Sequence, residues 1–131
     1  MKSKNIFKQN VFGNELEECS KKPLTGFLRD GCCSSLSSDR GQHFVCAVMT
    51  NEFLRFSLNK GNDLLTPIPE FNFPGLKSGD KWCLCSDRWI ESYNENCAPK
   101  IYLKSTNQLI LKKISLEKIA MLHKLCCIVL A

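Results

Sequence analysis

The stretch KSGDKWCLCSDRW, residues 77–89, carries a turn, a short strand and the start of a helix within thirteen positions. Ser78-Gly79-Asp80 is typical of a turn, because Gly readily takes a positive φ and Ser and Asp bond to nearby backbone groups. In the extended strand that follows, side chains two residues apart share a face. Cys83 and Cys85 therefore point to one side, and the Trp and Leu beside them point to the other. We predict a strand whose two thiols face a different layer from its apolar residues.

Three helices are predicted from their N-caps. A Ser or Thr hydroxyl at this position accepts a hydrogen bond from a free amide of the first turn. The predicted helices follow Thr50 (51–60, ended by Gly61), Ser86 (to about 96) and Ser115. Helical spacing directs these side chains inward: Phe53, Leu54, Leu58, Trp89, Tyr93, Leu116, Ile119, Ala120 and Leu122.

The remaining segments are predicted strands and one long loop. HFVCAVM (43–49) is apolar and β-branched, while PKIYLKS (99–105) and QLILKKI (108–114) alternate in the manner of a hairpin. Residues 61–80 hold three prolines and three glycines, which exclude a regular helix, yet the segment is apolar enough to pack across the core. The element order predicts an α+β fold: a small, mostly antiparallel sheet with about three short helices and a long ordered apolar loop.

Length and composition predict one domain over residues 1–131, with a basic N-terminal extension at 1–10 and an apolar tail at 124–131. The chain is 44% hydrophobic, which suffices for a single core. Its longest wholly apolar run, 125–131, is far shorter than the ~20 residues of a membrane span, so no membrane partner is expected. The N-terminus lacks the apolar stretch of a secretory signal. These features favour the cytoplasm, where the nine cysteines are expected to remain mostly reduced.

The net charge of +5 is unevenly distributed. Residues 100–131 contain Glu117 as their one acid and six lysines: Lys100, Lys104, Lys112, Lys113, Lys118 and Lys124. Such a surplus can contact phosphates, so nucleic acid is one candidate partner. Because no arginine and only one aromatic residue, Tyr102, accompany the lysines, a solvated face is the favoured interpretation.

Four cysteines are the candidate metal ligands: Cys32, Cys46, Cys83 and Cys85. They would form a closed four-thiolate site if their segments are adjacent, and Zn²⁺ suits such a set. A disulfide between Cys83 and Cys85 is disfavoured, because Cα atoms two residues apart in a strand are about 6.6 Å apart and their Cβ vectors converge poorly. Packing as small hydrophobic residues is the favoured alternative, and redox chemistry is the other.

Polar residues near the cysteines are the binding candidates. Arg29-Asp30 and Asp87-Arg88 offer guanidinium groups suited to a carboxylate or phosphate. An internal ion pair that ties the N-terminal loop to the second Trp segment is the favoured alternative. Asn62-Asp63 predicts an Asx turn. His43 is a candidate base for a Cys nucleophile, although a lone His is more often structural.

The sequence contains no Gly-rich phosphate loop, nucleophile elbow or His-Glu-x-x-His motif. Beside an unusual density of thiols, this favours a binding or structural module built around the cysteine-bearing strands over an enzyme. The alternatives are a thiol-dependent enzyme or redox protein that uses one of the clustered cysteines, and a zinc-binding or nucleic-acid-binding domain.

Three long and unusual stretches, PLTGFLRDGCC (23–33), residues 45–89 and IYLKSTNQ (101–108), carry a family resemblance. They resemble an uncharacterised bacterial family, domain of unknown function 2237, over roughly residues 11–122. The resemblance implies a single-domain cytosolic protein with no established activity or cofactor, and cysteines at positions 19, 32, 46, 83 and 85. The chain departs from the family at Ser105-Thr106-Asn107, where the family has Ala-Thr-His, and in its tail. A mechanism that depends on that His is therefore in doubt.

Overall fold

Two short antiparallel strands form the centre of the fold in the computed structural model, which describes residues 7–121. Strand β1 is Val45–Val48 and strand β2 is Lys81–Leu84. The register pairs Val45 with Leu84 and Cys46 with Cys83. Both predicted strands are confirmed, as is the small antiparallel α+β arrangement.

In the part of the chain that the structure describes, three α-helices and three short 3₁₀ helices surround this pair of strands. The α-helices are α1 (Asn51–Asn59), α2 (Ser86–Asn94) and α3 (Leu116–Ala120). The 3₁₀ helices are Pro69–Phe71, Leu103–Ser105 and Gln108–Lys112. Within residues 7–121, no helix combines the length and the apolar character required to cross a bilayer.

Helix α1 begins and ends where the sequence predicts. The Thr50 hydroxyl accepts a hydrogen bond from the Phe53 amide at 3.0 Å, and Gly61 follows the last turn with a φ of +94°. The expected burial of Leu58 is wrong, because this side chain is 43% exposed. Ser57 is buried instead, and its hydroxyl donates to the carbonyl oxygen of Asn62 at 2.7 Å.

Helix α2 begins differently from the prediction. Cys85 occupies the N-cap position, and its side chain caps no amide. The Ser86 hydroxyl instead donates to the carbonyl oxygen of Gln42 at 2.6 Å, which fastens the start of the helix to the residues before β1. The predicted pairing on one helical face is confirmed, since the rings of Trp89 and Tyr93 stack with centroids 5.5 Å apart.

Helix α3 has the predicted cap and inward face. The Ser115 hydroxyl accepts from the Lys118 amide, and Ile119 is buried. Leu116 and Ala120 pack against the core, while Leu122 and the apolar tail lie outside the described residues.

The predicted hairpin of residues 99–114 is wrong. Residues around Ile101 pair with β1 instead: the Val48 amide donates to the Lys100 carbonyl and the Tyr102 amide donates to the Cys46 carbonyl. The chain then enters two 3₁₀ helices. The second begins at Asn107, whose side-chain oxygen accepts from the Leu109 amide at 2.9 Å. Of the two alternating segments, the first therefore pairs with β1 and the second forms a 3₁₀ helix.

The long loop of residues 61–80 is ordered and partly buried, as predicted. Its chain doubles back at Pro69–Phe71, with a bridge between Ile68 and Phe73. Phe73 belongs to the core, whereas Phe71 is 66% exposed at the tip. Gly75 has a φ of +81°, and its α-carbon comes so close to the Leu65 carbonyl that a Cβ would clash.

The two faces of the β1–β2 sheet carry different kinds of buried side chain. Val45 and Leu84 face the main apolar core, which also contains Phe53 of α1 and Trp89 of α2. The opposite face carries Cys46 and Cys83, which join Cys19 and Cys33 in a separate buried group, here called the cysteine cluster.

Candidate functional site

A cleft of about 730 Å³ opens between the N-terminal loop, the long loop and β2. Four of the predicted binding candidates line it: Arg29, His43, Asn62 and Asp63. Its volume lies within the range of small-ligand sites. The remaining lining residues are Gly26, Phe27, Leu64, Ile68, Phe71, Phe73, Trp82 and Cys83.

Aromatic side chains form much of the cleft wall. The rings of Phe73 and Trp82 meet edge to face with centroids 5.3 Å apart. Phe27 is 41% exposed and Phe71 is 66% exposed, so both present ring surface to solvent. A wall of this kind favours flat, partly apolar ligands.

Arg29 brings a positive charge to this wall. Its guanidinium carbon lies 5.2 Å from the centroid of the Trp82 ring, and Nη1 donates to the Gly26 carbonyl at 2.9 Å. The cation–π contact and this hydrogen bond hold the side chain against the ring. No ion pair joins Arg29 to a carboxylate of residues 7–121. The charge is thus held in the cleft with donors free for a ligand.

His43 is oriented by a buried acid. Nδ1 donates to Asp39 Oδ1 at 2.7 Å, and the His43 amide donates to Asp39 Oδ2 at 3.0 Å. The Asp39 side chain is only 1% exposed, whereas that of His43 is 36% exposed. Because the Nδ1–H group is hydrogen-bonded to Asp39, Nε2 is the ring nitrogen that remains available for other contacts. Gly41 is required beside it, since a Cβ there would lie 2.6 Å from Cε1 of the imidazole.

Asp63 forms the predicted turn at the cleft rim. Its carboxylate accepts from the Thr66 hydroxyl at 2.6 Å and from the amides of Leu65 and Thr66. The hydroxyl bond first, and then the two amide bonds, lower the pKa of the Asp63 carboxyl. Its acceptors are engaged, so this residue shapes the rim of the cleft.

The other charged candidates lie outside the cleft lining. Asp30 accepts from the Cys32 amide at 3.0 Å, and Asp87 pairs with Lys113 at 2.9 Å. Arg88 pairs with Glu91 and donates to the Lys60 carbonyl. The predicted ion pair between the N-terminal loop and the second Trp segment is wrong, because Asp87 and Arg88 pair with Lys113 and Glu91 instead. Arg29 lies over the Trp82 ring. Of the basic C-terminal residues proposed for nucleic acid, Lys113 is thereby engaged, and Lys124 lies outside the described residues.

The cysteine cluster differs from the predicted ligand set. Cys46 and Cys83 belong to it, as predicted, but their partners are Cys19 and Cys33, in the disulfides Cys19–Cys46 and Cys33–Cys83. The Sγ atoms of Cys19, Cys33 and Cys46 lie within 4.8 Å of one another. The expectation of mostly reduced cysteines is wrong for these four residues.

Cys32 and Cys85 form no disulfide and are half-buried. Cys85 lies beyond the end of β2, so the strand alternation that would turn it toward Cys83 no longer applies. Burial first, and then the Asp30 carboxylate, raise the pKa of the Cys32 thiol. A raised pKa disfavours the thiolate that a Cys nucleophile requires.

Sequence reasoning missed three contributors to these sites. Asp39 stands four residues before His43, a spacing that was available as a signal. The predicted ligand set contains Cys32 in place of its neighbour Cys33, and Cys19 is indicated by the family resemblance alone. At the position of the family's His, Asn107 is fully buried, and its amide donates to the carbonyls of Phe7 and Cys33.

Fold and site together define a small α+β domain with an aromatic, cationic cleft beside a buried group of four cysteines. The chain belongs to the family described as an uncharacterised protein conserved in bacteria, domain of unknown function 2237, whose model matches residues 9–123. The resemblance inferred from the sequence is confirmed. No curated protein matches the chain significantly.

Proposed function

We propose that this protein is a ligand-binding module whose cleft takes a small planar molecule that carries a carboxylate, an aromatic carboxylate by class. The observation that carries the proposal is the position of Arg29. Its guanidinium lies over Trp82 inside the cleft and has no carboxylate partner among the described residues. A planar guanidinium pairs with a carboxylate through two parallel hydrogen bonds, which selects for this group.

The rest of the cleft supports the same class of ligand. Exposed ring surface of Phe27 and Phe71 offers area on which a flat apolar body can stack. Nε2 of His43 offers one further polar contact to the ligand. A ligand of this class satisfies the cation and covers the aromatic wall at the same time.

The module is also proposed to be one cytoplasmic domain over residues 1–131. Support for one domain comes from the apolar core, which runs from Val11 to Ile119. Support for the cytoplasm comes from the thiols of Cys32, Cys85 and Cys97, which are not in disulfides, since reducing compartments preserve free thiols. The two disulfides of the cysteine cluster are the contrary observation, because such compartments keep most cysteines reduced.

The test is a binding titration with benzoate and related aromatic carboxylates. Binding is measured through the NMR chemical shifts of the two indole N–H groups. Arg29→Gln is expected to weaken binding about tenfold or more, because a hydrogen bond to a charged group contributes about 1.5–3 kcal/mol. Arg88→Gln is the matched control, since Arg88 lies outside the cleft lining. The amides of the same acids are expected to bind poorly.

Two outcomes contradict the proposal. One is the absence of shifts at the Trp82 indole with every carboxylate tested. The other is equal binding of acids and amides that Arg29→Gln leaves unchanged.

The contact between Asp39 and His43 favours a second candidate function, acid–base catalysis on a ligand in the same cleft. A His held by a buried carboxylate is the arrangement that makes its other ring nitrogen a general base. The test is hydrolysis of aryl esters. His43→Gln is expected to abolish turnover while it only weakens benzoate binding through the lost Nε2 contact, and turnover that survives this substitution excludes the role.

A further inference from the structure

We propose that Cys19, Cys33, Cys46 and Cys83 hold one zinc ion when reduced, and that the two disulfides are the oxidised form of the same site. The site needs none of Arg29, His43 or the cleft ligand, so its success or failure is independent of the proposed binding function.

Sulfur positions carry the first part of the argument. Three Sγ atoms lie within 4.8 Å of one another, and the fourth, on Cys83, is bonded to Cys33. A tetrahedral zinc site with Zn–S distances of about 2.3 Å places its sulfurs about 3.8 Å apart. The sulfurs of Cys19, Cys33 and Cys46 need shift by only about 1–2 Å to reach this spacing. The Cys83 sulfur, released from Cys33, must turn toward the same point.

The backbone of each cysteine is held by a hydrogen bond that does not involve sulfur. The Cys46 amide donates to the Thr106 hydroxyl, and the Cys83 amide donates to the Thr25 hydroxyl. Since these two amides point away from each other, the two cysteines form a non-hydrogen-bonded pair, the closer kind in an antiparallel sheet.

The two loop cysteines are held in the same way. The Cys19 amide donates to the Gly31 carbonyl at 2.7 Å, and the Asn107 side chain donates to the Cys33 carbonyl at 3.0 Å. Opening both disulfides therefore leaves the four cysteines in place, as a preorganised ligand set requires.

Burial selects a closed structural site. The four residues are 0–2% exposed, so no position remains for a water or substrate on the metal. Four sulfur ligands and a closed tetrahedron are the preference of structural zinc. The ion would replace the cross-links as the connection between the N-terminal loops and the sheet.

Hydrogen peroxide can interconvert the two forms with a complete balance. The zinc tetrathiolate, two hydrogen peroxide molecules and four protons give two disulfides, one free Zn²⁺ and four water molecules. The four thiolate sulfurs lose four electrons in total, and the two peroxide O–O bonds gain them and break. A small dithiol reverses the change by thiol–disulfide exchange.

The experiment is reduction of the full chain without oxygen, followed by titration with Zn²⁺ or with Co²⁺ as a spectroscopic probe. We expect about one metal per chain, a cobalt–thiolate charge-transfer band, and four thiols protected from alkylation. Cys46→Ser is expected to lose more affinity than the roughly 10–100-fold that outer-shell changes cost. Cys85→Ser is the matched control and is expected to bind normally. Adding hydrogen peroxide should release the zinc and form both disulfides.

Three results overturn the proposal. Folded, reduced protein that takes up less than about a tenth of an equivalent of metal is one. Metal binding that Cys85→Ser abolishes and Cys46→Ser leaves intact is the second. The third is reduced protein that stays unfolded, by circular dichroism, with or without zinc.

Discussion

The two faces of the β1–β2 sheet are both buried, but different kinds of structure cover them. The apolar face is covered by side chains from α1 and α2, among them Phe53 and Trp89. The cysteine face is covered largely by loops of residues 7–44, which contain no helix or strand, and in part by Tyr102. Helices satisfy their own backbone groups, so they can bury hydrocarbon alone, whereas irregular chain needs a partner for each amide.

The difference teaches where each face obtains its stability. The stability of the apolar face depends on how completely side chains fill the core. The cysteine face depends on sulfur links and on buried hydroxyl and amide side chains, such as Thr25, Thr106 and Asn107, that bond to loop and strand backbone. The two faces should therefore respond to different substitutions.

The largest effect is expected on the apolar face. Phe53→Ala removes a fully buried ring and should lower the free energy of unfolding by about 3–5 kcal/mol, measured by urea denaturation. Phe71→Ala removes an exposed ring and should change it by less than about 0.5 kcal/mol. Similar losses of unfolding free energy in both variants would show that packing in the core does not stabilise the protein more than an exposed ring at the cleft rim.

Removing one cross-link should have the next largest effect. In the oxidised protein, Cys33→Ala combined with Cys83→Ala should cost about 2–4 kcal/mol, because the bridge closes a loop across a sequence separation of 50 residues. Cys32→Ala is the control, since this thiol is not cross-linked. A double variant as stable as the wild type would show that the loops are held without sulfur.

Hydroxyl groups on the cysteine face should matter less than a bridge but still measurably. Thr25→Val keeps the shape and leaves the buried Cys83 amide without its acceptor, at a cost of about 1–3 kcal/mol. Thr25→Ser retains the hydroxyl and should recover most of the loss. If Ser proves no better than Val, packing of the Thr methyl group, and not the hydrogen bond, stabilises this face.

The smallest effect is expected outside both faces, at the exposed Asp63. Its folded-state pKa is lowered by the Thr66 hydroxyl and the turn amides, so its stabilising contribution is present above the ordinary carboxyl pKa and is lost as pH falls through the folded value. Asp63→Asn should thus differ slightly from the wild type at neutral pH and converge with it in acid, as followed by thermal unfolding. A difference that grows toward low pH would contradict this sign.

The sequence by itself determined the local structure. Thr50 and Gly61 bound α1, Ser115 caps α3, Asp63 forms its turn, and the alternation around Cys83 gives β2 two unlike faces. Each of these features depends on residues within about four positions of one another, where hydrogen-bond geometry and side-chain period act directly. The choice of the α+β class followed from them.

Only the tertiary structure decided which distant groups meet. Cysteine spacing does not reveal that Cys33 rather than Cys32 reaches Cys83, because side-chain directions in an irregular loop follow no sequence period. The predicted hairpin does not form for a related reason. Residues 100–102 pair with β1, and Asn107 then caps a 3₁₀ helix.

The candidate site shows the same division. Arg29, His43, Asn62 and Asp63 were each recognisable as polar residues in unusual settings, but three of the seven binding candidates proved to lie outside the cleft lining. Whether a charge is engaged, as Asp87 is by Lys113, or left for a ligand, as Arg29 is, depends on partners that folding brings from elsewhere in the chain. Pairing across long sequence separations is governed by packing of the whole domain, so local pattern cannot supply it.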